Sequence, residues 1–339
     1  MRKRLLLLSM IAFGLAACNK NTTSNNTRPE ILRAEPTTLT LSVARSNLSA
    51  AVIGNKLVVA GGYDNSNSSD AIDVFTIGAD GKLIQSTENL TLSVARGDLS
   101  AAIIGNKLVV AGGYNSNNSS SSNAVDVFTL NSNGELIQSS TENLTLSVAR
   151  SDLSAAVIGN KLVVAGGYNT TSGSSDAVDV FTIGADGKLI QSTERLTLSV
   201  ARGDLSAAII GNKLVVAGGY NSNSSYSNAI DVFTIASDGK LIKSAERLTL
   251  SVARSGLSAA VIGNKLVVAG GYDNSNSSDV IDVFTIGADG KLIKSAESLT
   301  LSVARRDLSA AVIGNKLVVA GGYKGTKKSN AIDIFTLSK

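Results

Sequence analysis

The chain has 339 residues, including one cysteine and no histidine, and its formal net charge is +4. Without histidine it has no imidazole to act as a general base or a metal ligand. A single cysteine excludes an internal disulfide bond. Arg2, Lys3 and Arg4 supply three of the four net charges, so the remainder is near neutral. No basic stripe with interleaved aromatic residues occurs in it, which argues against a nucleic-acid partner.

The N-terminus predicts a signal peptide over residues 1–17. Three basic residues precede the apolar run Leu5–Leu15, which is too short for an ordinary membrane span. The run ends in Leu15-Ala16-Ala17-Cys18, which resembles the lipobox of bacterial lipoproteins, where the cysteine is acylated and becomes the new N-terminus. We therefore predict lipidation of Cys18. The alternative is an ordinary signal peptide with an incidental cysteine.

Residues 18–29 predict a flexible tether that begins at the lipidated cysteine. The segment Asn19–Arg28 is polar and low in complexity, and such a composition does not build a core. The membrane contact would run through the lipid anchor only. By resemblance to lipoprotein sorting in Gram-negative bacteria, Asn19 after the cysteine favours the outer membrane. The predicted location is therefore the bacterial cell envelope, with the protein periplasmic or surface-facing.

The rest of the chain is organised around a repeat. The stretch Leu48–Tyr63, LSAAVIGNKLVVAGGY, recurs almost unchanged five more times, with spacings of 51 to 54 residues. The six copies begin near residues 48, 99, 153, 205, 257 and 308. A fixed period in this range indicates a repeat architecture.

Each repeat predicts four short antiparallel strands. Leu48–Ile53 and Lys56–Ala60 form a hairpin around a Gly-Asn turn. A polar loop separates this hairpin from a third strand, Ala71–Ile77, and a tight turn leads to a fourth strand, Lys82–Gln85. The apolar residues are consecutive rather than alternating, which suits strands covered on both faces. Neighbouring blades of a β-propeller provide such cover.

The repeat resembles the kelch motif. The shared features are an apolar strand before a glycine pair (Leu57–Ala60, then Gly61-Gly62), an arginine before the first strand and an aromatic residue in the third strand. The arginines are Arg45, Arg96, Arg150, Arg202, Arg254 and Arg305, and the aromatics are Phe75, Phe128, Phe181, Phe233, Phe284 and Phe335. The chain departs from the pattern because it has no fourth-strand tryptophan. The resemblance implies an all-β, six-bladed kelch-type propeller over residues 30–339; an open solenoid is the alternative.

The two ends of this domain complement each other. The sixth repeat stops after its third strand, whereas Glu30–Leu39, EILRAEPTTL, looks like the fourth strand and connector of a repeat without a beginning. We therefore predict that the N-terminal strand closes the last blade and removes the exposed edges.

Binding residues are expected at the end of the propeller that carries the Gly-Gly-Tyr loops, here called the mouth, because its loops differ most between repeats. Two sets of candidates follow. The first stands after each repeat arginine, where the kelch resemblance implies a channel-mouth pocket: Asn47, Asp98, Asp152, Asp204, Arg306 and Asp307. The second comprises the repeated tyrosines Tyr63, Tyr114, Tyr168, Tyr220, Tyr272 and Tyr323. For both sets the alternative is a structural role, and the arginines, with Glu88 and its equivalents, predict structural ion pairs.

The sequence favours a non-enzymatic function. It contains no nucleophile motif and no cysteine beyond Cys18. Loops such as Asp64–Asp70 alternate oxygen ligands but lack the glycine and glutamate of a calcium loop, so we predict neither metal nor cofactor. The prediction is a membrane-anchored binding or scaffold module for a protein, peptide or glycan. The alternatives are a sugar-acting enzyme of the sialic acid mutarotase kind and a surface-display repeat protein without a specific ligand.

Overall fold

The computed structural model describes residues 39–65, 67–79, 82–139, 142–223 and 225–337, and all regular structure within these ranges is β-strand. The predicted signal peptide, the tether with Cys18, and residues 30–38 of the predicted closing strand lie outside the described residues. Within the described ranges, no helix is long and apolar enough to cross a membrane. The longer strands form six antiparallel sheets, which are the blades of a propeller, as predicted, and six further two-stranded sheets lie in the loops.

Each blade begins with the predicted hairpin. The first strands are Ser49–Ile53, Ser100–Ile104, Ser154–Ile158, Ser206–Ile210, Ser258–Ile262 and Ser309–Ile313. The second strands are Lys56–Ala60, Lys107–Ala111, Lys161–Ala165, Lys213–Ala217, Lys265–Ala269 and Lys316–Ala320. Ile53 lies opposite Lys56, so the turn has two residues, and Gly54 takes the positive φ of 59° that such a turn requires.

The third strand has neighbours on both sides in the first five blades, and in the sixth blade it is the edge strand of the described sheet. These strands are Ala71–Ile77, Ala124–Leu130, Ala177–Ile183, Ala229–Ile235, Val280–Ile286 and Ile332–Thr336. Their ends pair with the fourth strands Leu83–Gln85, Leu136–Gln138, Leu189–Gln191, Leu241–Lys243 and Leu292–Lys294. Their beginnings pair with an element that the sequence did not predict, the two-residue strands Leu90–Thr91, Leu144–Thr145, Leu196–Thr197, Leu248–Thr249 and Leu299–Thr300. The sixth blade has three strands within the described residues.

The loops at the mouth are more ordered than their polar composition suggests. In the first blade Tyr63–Asp64 pairs with Asn67–Ser68, which makes a miniature hairpin of the predicted loop. The equivalents are Tyr114–Asn115 with Ser120–Ser121, Tyr168–Asn169 with Gly173–Ser174, Tyr220–Asn221 with Ser225–Tyr226, Tyr272–Asp273 with Asn276–Ser277, and Tyr323–Lys324 with Lys327–Lys328. The mouth loops therefore share one hairpin arrangement although their sequences differ.

The core lies between blades. Ile72 and Val74 of the first blade share one buried cluster with Leu108 and Phe128 of the second. The glycine pair after the second strand permits a close approach, because a Cβ atom on Gly112 would lie 2.2 Å from a methyl group of Leu153. First strands of successive blades lie side by side, which places them around the central axis. The expectation that strands are covered on both faces is confirmed for the second, third and fourth blades, whose second strands are buried at every residue.

Candidate functional site

The repeat arginines are structural. In the second blade, Arg96 Nη2 lies 2.6 Å from Asp126 Oδ2, and its Nε–H donates to the carbonyl oxygen of Gly112 at 2.6 Å. Both side chains are almost fully buried. The equivalent ion pairs are Arg45–Asp73, Arg150–Asp179, Arg202–Asp231, Arg254–Asp282 and Arg305–Asp333. Each pair connects the segment before the first strand of a blade with the third strand of the same blade. The arginines and aspartates therefore fix the position of the backbone on which the candidate site is built.

The repeat glutamates make a second set of structural ion pairs, with lysines. Lys56 Nζ lies 3.1 Å from Glu88 Oε1, at the end of the blade opposite the mouth. Glu88 also accepts a hydrogen bond from the backbone N–H of Leu136 in the next blade. The other pairs are Lys107–Glu142, Lys161–Glu194, Lys213–Glu246 and Lys265–Glu297. The predicted structural role holds for arginines and glutamates alike, but the two sets have different partners.

The residues two positions after the repeat arginines follow one another from blade to blade at the mouth and are here called the ring positions. These ring positions are Asn47, Asp98, Asp152, Asp204, Gly256 and Asp307, and their φ angles lie between 52° and 60°. The backbone N–H of each member from Asp98 onward donates to the carbonyl oxygen of the preceding member, at 2.8 to 3.1 Å. Left-handed backbone favours glycine, asparagine and aspartate. The conformation therefore explains why only these residue types occur there.

The repeated tyrosines lie directly beside the ring. A backbone bridge connects each tyrosine with the residue before the ring position, as in Ser46 with Tyr63. The Tyr63 hydroxyl donates to Asp98 Oδ2 at 2.8 Å, and Asn47 Nδ2 donates to the other oxygen of that carboxylate. Burial and the neighbouring Asp98 raise the pKa of Tyr63, so its hydroxyl remains a donor. The candidate residues Asn47, Tyr63 and Asp98 of the first two blades are therefore hydrogen-bonded to one another.

The candidates of the later blades surround a cavity of about 170 Å³, here called the mouth cavity. Its lining contains seven predicted residues: Asp152, Tyr168, Asp204, Tyr220, Tyr272, Arg306 and Asp307. The other lining residues are Gly203, Ser255 and Tyr226. The predicted residues Asn47, Asp98, Tyr63, Tyr114 and Tyr323 lie outside this lining. The structure therefore brings together about half of the predicted set, on the side of the third to sixth blades.

Tyr226 is the lining residue that the sequence analysis missed. Four blades carry a serine at its position in the mouth hairpin, and each serine donates to the tyrosine carbonyl of the next blade at 3.1 to 3.3 Å. These serines are Ser68, Ser121, Ser174 and Ser277. In the fourth blade Tyr226 instead places its ring between Tyr220 and Tyr272, with centroid distances of 5.0 and 5.6 Å. It is the seventh tyrosine of a chain with six repeated ones, which is the signal that could have identified it.

Arg306 continues this aromatic row. Its guanidinium carbon lies 5.2 Å from the ring centroid of Tyr272 and 5.6 Å from that of Tyr323. Its Nη1 lies 3.2 Å from Asp307 Oδ2. The equivalent residues of the other blades are serine or glycine, so Arg306 and Tyr226 are the two blade-specific side chains of the row.

The calcium-like loops show local hydrogen bonding. Asp273 Oδ1 accepts from the backbone N–H groups of Ser275 and Asn276 at 3.2 and 3.0 Å, which is an ordinary aspartate turn. Among the described residues, no group of three or more histidine, cysteine, aspartate or glutamate side chains has the arrangement of a metal site.

Comparisons with known proteins agree with the architecture. A family model described as the KLHDC2/KLHL20/DRC7 kelch-repeats domain matches residues 98–283, and a kelch motif model matches residues 44–77. A solved structure titled "Structure of YjhT" is similar with a TM-score of 0.60 and 15% identity, over 88% of this chain and 96% of that chain. At this identity the similarity shows the fold alone. A search of curated proteins gives no significant match.

Proposed function

Because the chain belongs to the kelch-repeat family of β-propellers, we propose that it is a binding or scaffold module that recognises a protein, peptide or glycan at its mouth. The observation that carries this proposal is the mouth cavity, where Tyr226 and Arg306 are added to residues that repeat in every blade. A site built only of repeated residues would be sixfold degenerate. The two blade-specific side chains give the mouth one distinctive side, which an asymmetric ligand needs.

The charges around the mouth support the same proposal. Asp98, Asp152 and Asp204 come from three consecutive blades, and the exposed hairpin of the sixth blade carries Lys324, Lys327 and Lys328. Opposite charges are therefore separated across the mouth although the domain is near neutral. Such a polarity orients a charged partner and speeds the encounter more than it adds affinity.

The test is capture of partners from a native envelope extract, with the wild-type domain compared with two variants. Asp152→Asn with Asp204→Asn alters the mouth, and Asp186→Asn alters an exposed turn at the opposite end of the third blade. A partner that is lost with the mouth variant and kept with the control supports the proposal. A partner retained by both variants places the binding surface elsewhere. A mutarotase assay on the same preparations tests the enzymatic alternative, which would use Arg306 and the mouth carboxylates.

We also propose that a lipid on Cys18 holds the module at a membrane. The lipobox-like segment and the polar residues that follow it support this proposal. Mass spectrometry of the N-terminal peptide from detergent-extracted protein tests it, because a diacylated or triacylated Cys18 has a characteristic mass. An unmodified N-terminus at another residue would overturn the proposal.

A further inference from the structure

The mouth hairpin of the sixth blade, Tyr323–Lys328, differs from the other five in charge and is here called the basic hairpin. It contains Lys324, Lys327 and Lys328, all exposed, whereas the other five mouth hairpins contain no lysine or arginine. Within the part of the chain that the structure describes, these three lysines form no ion pair. Lys56 and its equivalents in the next four blades each pair with a glutamate. The basic hairpin therefore concentrates unbalanced positive charge on a domain that is near neutral.

Two of these lysines lie directly opposite each other. Lys324 pairs with Lys327 in the register of the hairpin. Like charges at such a cross-strand position are destabilising. The equivalent pairs of the other blades carry at most one charge, as in Asp64 with Asn67. Because the residues of the other blades would suit the hairpin better, the lysines indicate an anionic ligand that offsets their repulsion.

Lys328 replaces a residue that connects neighbouring blades. Four other blades carry a serine at its position, which donates to the tyrosine carbonyl of the next blade, as Ser68 does to Tyr114. Among the described residues, Lys328 makes no such bond to the first blade. The strand Lys327–Lys328 pairs there only with Tyr323–Lys324, so its outer edge is open to a second main chain. A polypeptide can use this edge, whereas an oligosaccharide has no backbone of that kind.

Arg306 adds a fourth cation beside the basic hairpin. Its guanidinium carbon lies 5.6 Å from the ring centroid of Tyr323, and its Nη2–H donates to the carbonyl oxygen of Gly325 at 3.4 Å. Its Nη1 lies 3.2 Å from Asp307 Oδ2, but its Nε–H is buried and has no hydrogen-bond partner among the described residues. A buried donor without an acceptor is costly. The side chain is 25% exposed, so a ligand can approach it and supply a carboxylate oxygen.

We propose, resting on the proposed binding function, that the basic hairpin and Arg306 hold an acidic segment of a protein partner, a stretch rich in aspartate or glutamate. Lysines are flexible point charges, so the hairpin selects for charge density rather than for one fixed geometry. The segment lies at the rim of the mouth, because Asp152 and Asp204 in the cavity lining repel a further anion. The partner is thereby oriented with its acidic segment on the sixth blade.

The experiment uses the mature full chain and two synthetic peptides, acetyl-Gly-Glu-Glu-Glu-Glu-Gly-amide and its analogue with glutamine for glutamate, which is nearly isosteric but uncharged. Isothermal titration at low ionic strength measures both affinities. We expect the glutamate peptide to bind about 10-fold more tightly or better, with an affinity that falls as salt is added. Equal affinities would overturn the inference. A galacturonic acid tetramer, which carries as many carboxylates, should bind more weakly than the glutamate peptide, and equal binding would overturn the assignment to a polypeptide.

One variant locates the site with residues that other mouth hairpins carry at the same positions: Lys324→Asn with Lys327→Asn and Lys328→Ser. We expect it to weaken the glutamate peptide about 3- to 100-fold, the range of three exposed ion pairs. Its melting temperature should not fall, because the variant removes the repulsion of a like-charge pair.

The matched control removes three exposed lysines at the opposite end of the propeller: Lys188→Asn with Lys240→Asn and Lys291→Asn. It loses the same net charge and should bind the glutamate peptide like the wild type. Unchanged affinity in the hairpin variant, or equal weakening in the control, would overturn the inference. If a captured partner still depends on Asp152 and Asp204 while the glutamate peptide fails to bind, the acidic-segment inference falls and the binding function stands.

Discussion

Arg96 and Asp126 form an ion pair inside the second blade, with their side chains 0% and 4% exposed and 2.6 Å between Nη2 and Oδ2. Removal of one partner of such a pair leaves a buried charge without compensation, which costs about 3–5 kcal/mol. We therefore expect Asp126→Asn to lower the free energy of unfolding by about that amount, measured by urea denaturation. The matched control Asp186→Asn changes an exposed carboxylate to the same amide and should stay within about 0.5 kcal/mol of wild type. A loss below about 1 kcal/mol in Asp126→Asn would contradict a stabilising role.

The buried carboxylates also determine how stability depends on pH. Burial pushes the pKa of Asp231 up, but Arg202 and Lys243 outweigh burial and hold it below its ordinary value. Asp282 behaves in the same way, with Arg254 and Lys294 as partners. As the pH falls, a carboxyl group whose pKa is lowered in the folded state becomes protonated in the unfolded chain, near pH 3.9, before it does so in the folded protein. Its stabilising contribution is therefore complete above that pH and is lost as the pH falls through the lower folded-state value.

We expect the urea midpoint to change little between about pH 5 and 8, where a chain without histidine has few groups that titrate. Below about pH 4 the midpoint should fall steeply. Denaturation curves at half-unit steps of pH measure this dependence. A gradual loss of stability from pH 8 down to pH 5 would show that other groups dominate.

Substitutions at a ring position can separate the contribution of the left-handed backbone to stability from the contribution of the side-chain charge. Asp152 has a φ of 53°. Alanine in left-handed backbone is disfavoured by roughly 1–2 kcal/mol, whereas asparagine tolerates it. Thermal unfolding of Asp152→Ala should therefore show a loss of about that size, and Asp152→Asn should melt close to the wild type. Equal melting temperatures for the two variants would mean that the ring relaxes to accommodate alanine.

The sequence predicted local structure well because local chemistry determines it. The Gly-Asn turn and the strand Ala71–Ile77 fall where the residues place them. The polar mouth loops, such as Asp64–Asp70, were predicted without strands because they have neither apolar residues nor alternation. Their pairing depends on the blade that supports them.

Long-range partners were harder to predict. The aspartate inside each third strand was visible in the repeat, but only the fold brings Asp126 beside Arg96. The candidate site shows the same limit. Its ring residues and tyrosines follow from the repeat, while Tyr226 needs the fold to show that its loop reaches the rings of Tyr220 and Tyr272.

The sixth blade exposes a face that the other blades bury. Ile332 and Ile334 are 63% and 59% exposed, whereas the residues at these positions in the first blade, Ile72 and Val74, are 7% and 2% exposed. In the first blade this face packs against the next blade. The contact between the sixth and first blades is therefore not packed like the others. The N-terminal segment is predicted to act elsewhere, at the edge of this blade: within the described residues the strand Ile332–Thr336 pairs on one side only, and the segment itself lies outside the described ranges.

The closure prediction can be tested with two neighbouring substitutions. Residues 30–39, EILRAEPTTL, align without a gap with residues 135–144 of the second blade, ELIQSSTENL, so that Ile31 corresponds to Leu136 and Leu32 to Ile137. Leu136 is 3% exposed in its blade and Ile137 is 51% exposed. If the N-terminal strand takes the place of the missing fourth strand, Ile31 faces the core and Leu32 faces solvent.

Ile31→Asn should then lower the free energy of unfolding by about 2–4 kcal/mol, because it replaces a buried apolar side chain with a polar one. Leu32→Asn should change it by about 0.5 kcal/mol or less, as expected for a surface position. Urea denaturation of both variants, each with the full mature N-terminus, measures the difference. Removal of residues 19–29 serves as a further control, since the predicted tether should not affect the blade. If Ile31→Asn and Leu32→Asn unfold alike, the N-terminal segment does not occupy the fourth-strand position in the predicted register.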